Sequence, residues 1–430
     1  MSLHGKRQVR FIHGADVHLG APFRGLRELS EAWADRLVEA VPEAFDRLVD
    51  TAVRERVDFV VLAGDIFDNG RPSYRDYLRF FQGIERLSDA GIPTYLITGN
   101  HDPYVSWQQD LFAFPEHGHM LSADRPDFRL FERDGEPLAI IAGRGYPNKV
   151  WSRDRDIAEG LDRDAAEAAL GPRAQQAPFG VGVLHTGLDQ DLVKAPTDPR
   201  GLLRSGLDYW ALGHVHRRYL DDERDPHIGF SGCIQGRDIK EVGARGVYLV
   251  TLTEDAPAQV RFVPTASVVW QRLSIDVSEC ATPSDIIQLV MRELFRVNGD
   301  ARCEEMICRI TLTGATALHE TLGRADVIEG MREALNNSYP DFFVDALIDR
   351  TTLPLDKEAL RREGLFPAVF MATAENARRD GTAQYAYLQD EFMAKNVAMP
   401  VLAQQQVDAL AQEAEDMVLD LLIGEAGEGA

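Results

Sequence analysis

The sequence predicts a layered α/β domain, followed by a small α+β domain and a mainly helical C-terminal region. Three observations carry that reading. Short apolar runs recur between residues 9 and 253, and amphipathic stretches at helical spacing separate several of them. Five of the runs stop at residues that suit divalent metals. After Pro257 and Pro264 the pattern changes to strand-like alternation and then to helix.

Taken in order, Phe11-Ile12 leads into Asp16-Val17-His18. Leu37, Val41, Phe45, Leu48, Val49 and Ala52 then mark a helix before the run 59–62, which leads into Gly64-Asp65-Ile66-Phe67-Asp68. Tyr77, Phe80, Phe81, Ile84 and Leu87 mark a second helix before the run 95–97, which leads into Gly99-Asn100-His101-Asp102. The run 181–184 ends at His185, and 209–212 ends at Gly213-His214-Val215-His216. This β-α-β rhythm implies right-handed crossovers, with the carboxyl ends of the strands forming a ligand crevice. Residues 153–178 predict a surface helix and loop, and 228–253 predict strands joined by Gly-rich turns.

Further along, 269–277 predicts a strand and 283–295 a helix with Pro283 at its start. Cys308, Ile310 and Leu312 alternate as a strand, 327–335 is helical, and Val344, Ala346 and Ile348 alternate again. From Asp356 onward the chain reads as helix. Val407, Leu410, Ala411, Ala414, Met417, Val418 and Leu421 form one apolar stripe, and the Gly/Glu/Ala-rich tail after Ile423 is expected to fray. The expected domains are 1–265, 266–352 and 353–430.

Composition narrows the class. A chain of 430 residues exceeds the usual single-core size, and 45% hydrophobic with 27% charged content is ordinary for a globular protein. No apolar run approaches the roughly 18 residues of a membrane span, and no secretion signal is apparent. Cys233, Cys280, Cys303 and Cys308 form no CxxC pair, which argues for reduced thiols and a cytoplasmic protein. The net charge of -23 counts against a simple non-specific DNA-binding module. Any DNA contact must be local, metal-centred or assisted by a partner.

Each motif has a bland alternative when read alone. Asp16 and His18 are two apart and point to one side of an extended chain, as His214 and His216 do. Asp65 after a fully apolar run is either a helix N-cap or a metal ligand. Asn100 is a neutral oxygen ligand, His101 beside it can act on substrate, and Asp102 can orient that imidazole. Gly-Asn-His-Asp also suits a β-turn, and a single His185 suits a satisfied core histidine. Five bland explanations at five strand ends are a poor account of the set. Two divalent ions bridged by one carboxylate and one hydroxide would leave the centre with roughly one positive charge, suited to a phosphodiester. Ligation by nitrogen and oxygen without thiolate favours Mn, Fe, Zn or Co over Ca.

In this order the blocks resemble the calcineurin-like metallophosphoesterase superfamily. Ala15 through Gly20, the Gly64 to Asp68 block and the Ser231 to Arg237 segment with its continuation to Gly246 resemble SbcD-type DNA repair exonucleases, and YhaO-like relatives most. The resemblance covers roughly residues 8–253. It implies that Asp16, His18, Asp65 and His216 hold one metal, and that Asp65, Asn100, His185 and His214 hold the other, with Mn foremost. It implies that His101 stabilises the transition state or protonates the leaving oxygen, oriented by Asp102. The later domains would be a capping domain and helices that dock a coiled-coil ATPase, with no membrane role; a homodimer stays open. Two positions depart from the pattern. Asp68 stands where some family nucleases carry a second functional histidine, and Cys233 stands where serine is common. Arg71, Arg144, Arg217, Arg218, Arg237 and Lys240 are candidates for DNA phosphate contacts. The reading is a binuclear phosphodiesterase acting on DNA. Its rivals are a phosphoesterase for small molecules or phosphoproteins, and a scaffold with a structural metal site.

Overall fold

The computed structural model describes residues 7–108, 111–152, 154–188, 191, 194–301, 304–354, 357–363, 366–378, 381–395 and 404–427. Arg153, Cys303 and the end of the expected frayed tail, 428–430, lie outside the described residues. The chain forms two compact units. One comprises Met1–Arg272, Phe295–Cys308 and Asp341–Asp345; the other comprises Leu273–Leu294, Arg309–Pro340 and Ala346–Ala430.

The first unit begins with β1 (Gln8–Gly14), α1 (Arg24–Arg27), α2 (Glu31–Glu55), β2 (Phe59–Ala63), α3 (Tyr74–Asp89), β3 (Thr94–Ile97) and β4 (Gly118–Met120). It continues with β5 (Asp127–Arg133), β6 (Glu136–Arg144), α4 (Arg163–Leu170), β7 (Phe179–His185), α5 (Pro199–Leu203), β8 (Tyr209–Gly213), β9 (Tyr219–Leu220) and β10 (Ile228–Phe230). β11 (Gly246–Thr253) and β12 (Ala256–Pro264) return to the first sheet. Two six-stranded sheets result, ordered β12-β11-β1-β2-β3-β4 and β5-β6-β7-β8-β10-β9. β1 to β4 run parallel, as do β6, β7, β8 and β10.

The central strands β2, β3, β7 and β8 are apolar and buried because both faces of each sheet are covered there. In β2, Phe59, Val61 and Ala63 enter the core between the sheets, while Val60 and Leu62 pack with Leu37, Phe45 and Phe80 of α2 and α3. In β8, Tyr209 and Ala211 face the first sheet, and Trp210 and Leu212 face the covering segments that contribute Trp151, Leu161 and Leu202. The result is four layers, with the parallel strands of both sheets ending at one rim. Ser73 caps α3 in a reciprocal pair with Asp76 and so ends the loop that follows β2.

The remaining strands, β13 (Val268–Asp276), β14 (Glu305–Ala315) and β15 (Phe342–Thr352), form a three-stranded sheet in that order. α6 (Pro283–Ala301), α7 (His319–Leu322) and α8 (Ala325–Asn336) connect them, and α9 (Lys357–Glu363), α10 (Phe366–Arg378), α11 (Gly381–Ala394) and α12 (Gln404–Gly427) follow. The packing of the first unit does not follow a cut at residue 265, because Val268, Trp270, Ile307 and Phe343 belong to its core. The expected stripe on α12 is divided. Val407 is buried, Leu410, Met417 and Val418 are exposed, and the side chain of Leu421 lies outside the described residues. Buried Glu415 instead pairs with Lys357 and Arg378. Among the described residues, no helix is long and apolar enough to cross a membrane.

Candidate metal centre

The strand ends supply the side chains, but extended alternation does not aim them. Asp16, His18, Asp65 and His214 have φ values of 52°, 53°, 51° and 96°, in the left-handed region. Asp and His tolerate that region better than most residues, and such strain persists only where the surroundings over-determine it. Here a ladder beyond the strands does so. Asp16 N–H donates to Gly64 O at 3.1 Å, His18 N–H to Asp65 O at 3.0 Å, and Leu19 N–H to Ile66 O at 2.9 Å. Glycine is required where these loops crowd. A Cβ on Gly99 would lie 2.1 Å from Asp65 Oδ1, and one on Gly64, at φ +84°, would lie 2.7 Å from His185 Nδ1.

The seven candidate ligands fall into two groups that share Asp65. In the first, His18 Nε2 lies 3.2 Å from His216 Nε2, His216 Nε2 lies 3.7 Å from Asp16 Oδ1, and His18 Nε2 lies 3.8 Å from Asp65 Oδ2. In the second, His185 Nε2 lies 3.3 Å from Asp65 Oδ2 and 3.1 Å from Asn100 Oδ1, which is 3.2 Å from His214 Nδ1. Asp16 is held by the His214 N–H at 3.1 Å. His185 Nδ1 faces Ala63 O at 2.9 Å, which leaves Nε2 pointed into the group.

The donor set fits divalent metal. Nitrogen and oxygen atoms of Asp16, His18 and His216 all lie within 4.8 Å of one another, and so do those of Asp16, Asp65 and His185. Electrostatics agree. Burial alone would lower His185, yet the neighbouring Asp65 charge pushes its imidazole up to about 9. Burial likewise works to raise Asp65, but His185 and His18 outweigh it and hold the carboxyl far below the usual range. A bound cation would satisfy Asp65 without a proton on His185.

His101 stands at the exposed rim. Its backbone N–H donates to Asp65 Oδ1 at 2.9 Å, and its Nδ1 lies 2.7 Å from Asp68 O. The expectation that Asp102 orients His101 therefore needs correcting. The Asp102 carboxylate is buried and accepts backbone N–H groups instead, from Gly99 at 2.8 Å, Ile66 at 2.9 Å and Phe67 at 3.4 Å. Those bonds strap the loop after β3 to the loop after β2. Burial and then Asp65 push its carboxyl up to about 8.

Two residues act here in ways the sequence alone did not assign. Glu241 Oε1 lies 2.5 Å from His216 Nδ1, and Arg237 reaches Asp68 and Glu241. Glu241 follows the Ser231–Gly236 block, and a carboxylate after that block was the available signal. Of the six basic candidates for phosphate contact, Arg71, Arg217, Arg218 and Lys240 are exposed. Arg144 is buried and donates to Glu159 O at 2.7 Å, and Arg237 is turned inward.

Comparison with known proteins gives a consistent picture. Residues 9–218 match the family described as Calcineurin-like phosphoesterase, and 270–352 match the family described as Metallophosphoesterase YhaO, middle domain. The chain is 35% identical over 308 residues to the metallophosphoesterase YhaO of Bacillus subtilis, covering 70% of this chain and 72% of that one. It is 26% identical over 300 residues to the DNA double-strand break repair protein Mre11 of Aeropyrum pernix, covering 68% and 69% of the two chains. It is 30% identical over 272 residues to a polypeptide of the nuclease SbcCD of Escherichia coli, covering 57% and 65%.

Proposed function

Since the chain belongs to the calcineurin-like metallophosphoesterase family, we propose that it is a binuclear phosphodiesterase that cuts DNA, as an exonuclease or endonuclease, in DNA repair. One observation carries the two-ion part: a single carboxylate oxygen of Asp65 stands 3.3 Å from His185 Nε2 and 3.8 Å from His18 Nε2. Asp16, His18, Asp65 and His216 would hold one ion, and Asp65, Asn100, His185 and His214 the other. When bound, two divalent ions, Mn foremost among Mn, Fe, Zn and Co, supply charge against the phosphate and sharpen a water for in-line attack.

The chain's own residues do the rest. Asn100 contributes an oxygen without negative charge, which preserves attraction for a phosphodiester. A carbonyl only accepts, so the 2.7 Å contact to Asp68 O puts the hydrogen of His101 on Nδ1. Nε2 is then the atom that gains a proton and gives it to the leaving oxygen. Among the described residues, that Nε2 makes no hydrogen bond.

DNA as substrate is supported by the relatives named as a DNA double-strand break repair protein and as part of a nuclease. The reading further proposes a coiled-coil ATPase partner, for which the exposed Leu410, Met417 and Val418 of α12 are the candidate dock, and a cytoplasmic setting. The deciding experiment is a substrate panel with Mn2+: labelled single- and double-stranded DNA, cyclic nucleotides and bis-nitrophenyl phosphate. Chelator-sensitive hydrolysis that is fastest on DNA is the expected result. Turnover of cyclic nucleotides alone would assign a small substrate instead, and a metal-loaded protein inert on every ester would end the enzymatic reading.

A further inference from the structure

One guanidinium joins two carboxylate–imidazole pairs behind the first ligand group. His18 Nδ1 lies 3.2 Å from Asp68 Oδ1, and His216 Nδ1 lies 2.5 Å from Glu241 Oε1. Arg237 donates from Nη1 to Asp68 Oδ1 at 2.8 Å and from Nη2 to Glu241 Oε1 at 3.3 Å. Its backbone N–H donates to Glu241 Oε2 at 2.7 Å. The Arg237 side chain is 20% exposed and its Nε is buried without a hydrogen-bond partner among the described residues, so it is built into the site rather than offered to solvent.

We infer that Arg237 is a positioning residue that clamps Asp68 and Glu241 against His18 and His216, and thereby sets the affinity of one ion of the pair. The inference rests on the two-ion reading above. A carboxylate hydrogen-bonded behind a ligand imidazole, as Glu241 is behind His216, fixes its tautomer and raises its basicity; Asp68 stands at ion-pair distance behind His18, and both carboxylates depend on the same cation. Arginine suits the task because its planar fork reaches two acceptors at fixed angles, whereas lysine is a point charge.

The clamp also prevents a competing arrangement. His18, Asp68 and His101 form a group whose ligand atoms lie within 4.8 Å of one another, and so do His216, Cys233 and Glu241. Released from Arg237, either carboxylate could bind a cation itself and draw His18 or His216 away from the shared centre. Among the described residues, the side chains of Asn100, His185 and His214 make no hydrogen bond to Arg237, Asp68 or Glu241, so the effect falls first on the ion that His18 and His216 would hold.

The test is calorimetric titration of the metal-free full chain with Mn2+, together with electron paramagnetic resonance. Wild type should bind two ions and give a spin-coupled pair. Arg237→Gln should keep one ion at its original affinity, weaken the other by roughly 10–100-fold, and give an isolated Mn2+ signal. Arg237→Lys should fall between the two, and added guanidinium should restore the coupled signal in Arg237→Gln. Should Arg237→Gln fail to fold, Arg237→Lys carries the same comparison, because it retains a charge but engages one carboxylate at a time. Two ions bound with wild-type affinity, or both weakened equally, would overturn the inference alone. Fewer than two ions in wild type would overturn it together with the two-ion reading.

Discussion

Asp65 is the residue whose replacement should reach both ligand groups, since its Oδ2 approaches His185 and His18 while its Oδ1 accepts the His101 N–H. Asp65→Asn keeps the volume and removes the charge. Mn-dependent hydrolysis of bis-nitrophenyl phosphate should disappear, and metal analysis after dialysis should show both ions loosened. Full activity in that variant would refute the shared carboxylate. His101→Ala should behave in the opposite sense, retaining both ions while turnover falls by about 10²–10⁴-fold, the usual contribution of a general acid. Loss of metal with turnover would show that His101 is structural. The ligand types and their order were legible in the sequence because each closes an apolar run. The geometry was not. Asp16 and His18 were expected to converge by extended alternation, whereas left-handed backbone held by the Gly64 and Asp65 carbonyls turns them inward. Nor could local sequence reveal that Asp102 would spend its oxygens on backbone N–H groups of Ile66 and Phe67.

Those N–H groups make Asp102 a strap between elements, joining the turn after β3 to the turn after β2. Two oxygens are needed, because Gly99 donates to one and Ile66 to the other. Asp102→Asn has only one acceptor and would present an amide to a buried donor. We expect a loss of about 1–3 kcal/mol, the cost of leaving one buried donor unsatisfied, read as a lower urea midpoint at unchanged slope. An unchanged midpoint would mean the strap contributes nothing. The same scale shows which strands the sequence revealed and which it hid. β2, β3, β7 and β8 were legible as apolar runs ending in metal-ligand types. β6 is equally buried but ends in Arg144, so a reading led by chemistry passed over it. Its partner β5 mixes charged and apolar residues as an edge strand does, which left the second sheet half hidden.

At the scale of the whole molecule, proline punctuation suggested a boundary at 265, but a composition shift cannot report which later segments pack back. Four side chains do so: Val268, Trp270, Ile307 and Phe343 lie in the core formed by α2, α3 and the first sheet. Trp33 of α2 stacks on Phe343 with ring centroids 5.6 Å apart, and Arg36 pairs with Glu305. Gln235 donates to Val268 O at 2.6 Å and accepts from Ser267 N–H at 3.1 Å, so a chain ending at 265 would strand a buried amide. Burying one large apolar side chain stabilises by about 1.5–3 kcal/mol, so losing four approaches the roughly 5–15 kcal/mol that holds a whole domain together. A 1–265 fragment should therefore lack a cooperative thermal transition and bind hydrophobic dye. A 1–352 fragment, which keeps every segment of the first unit, should melt sharply. If 1–265 melted as sharply and as high as the full chain, the returning segments would be ornament on a self-sufficient core, and the metal-binding rim would owe them nothing.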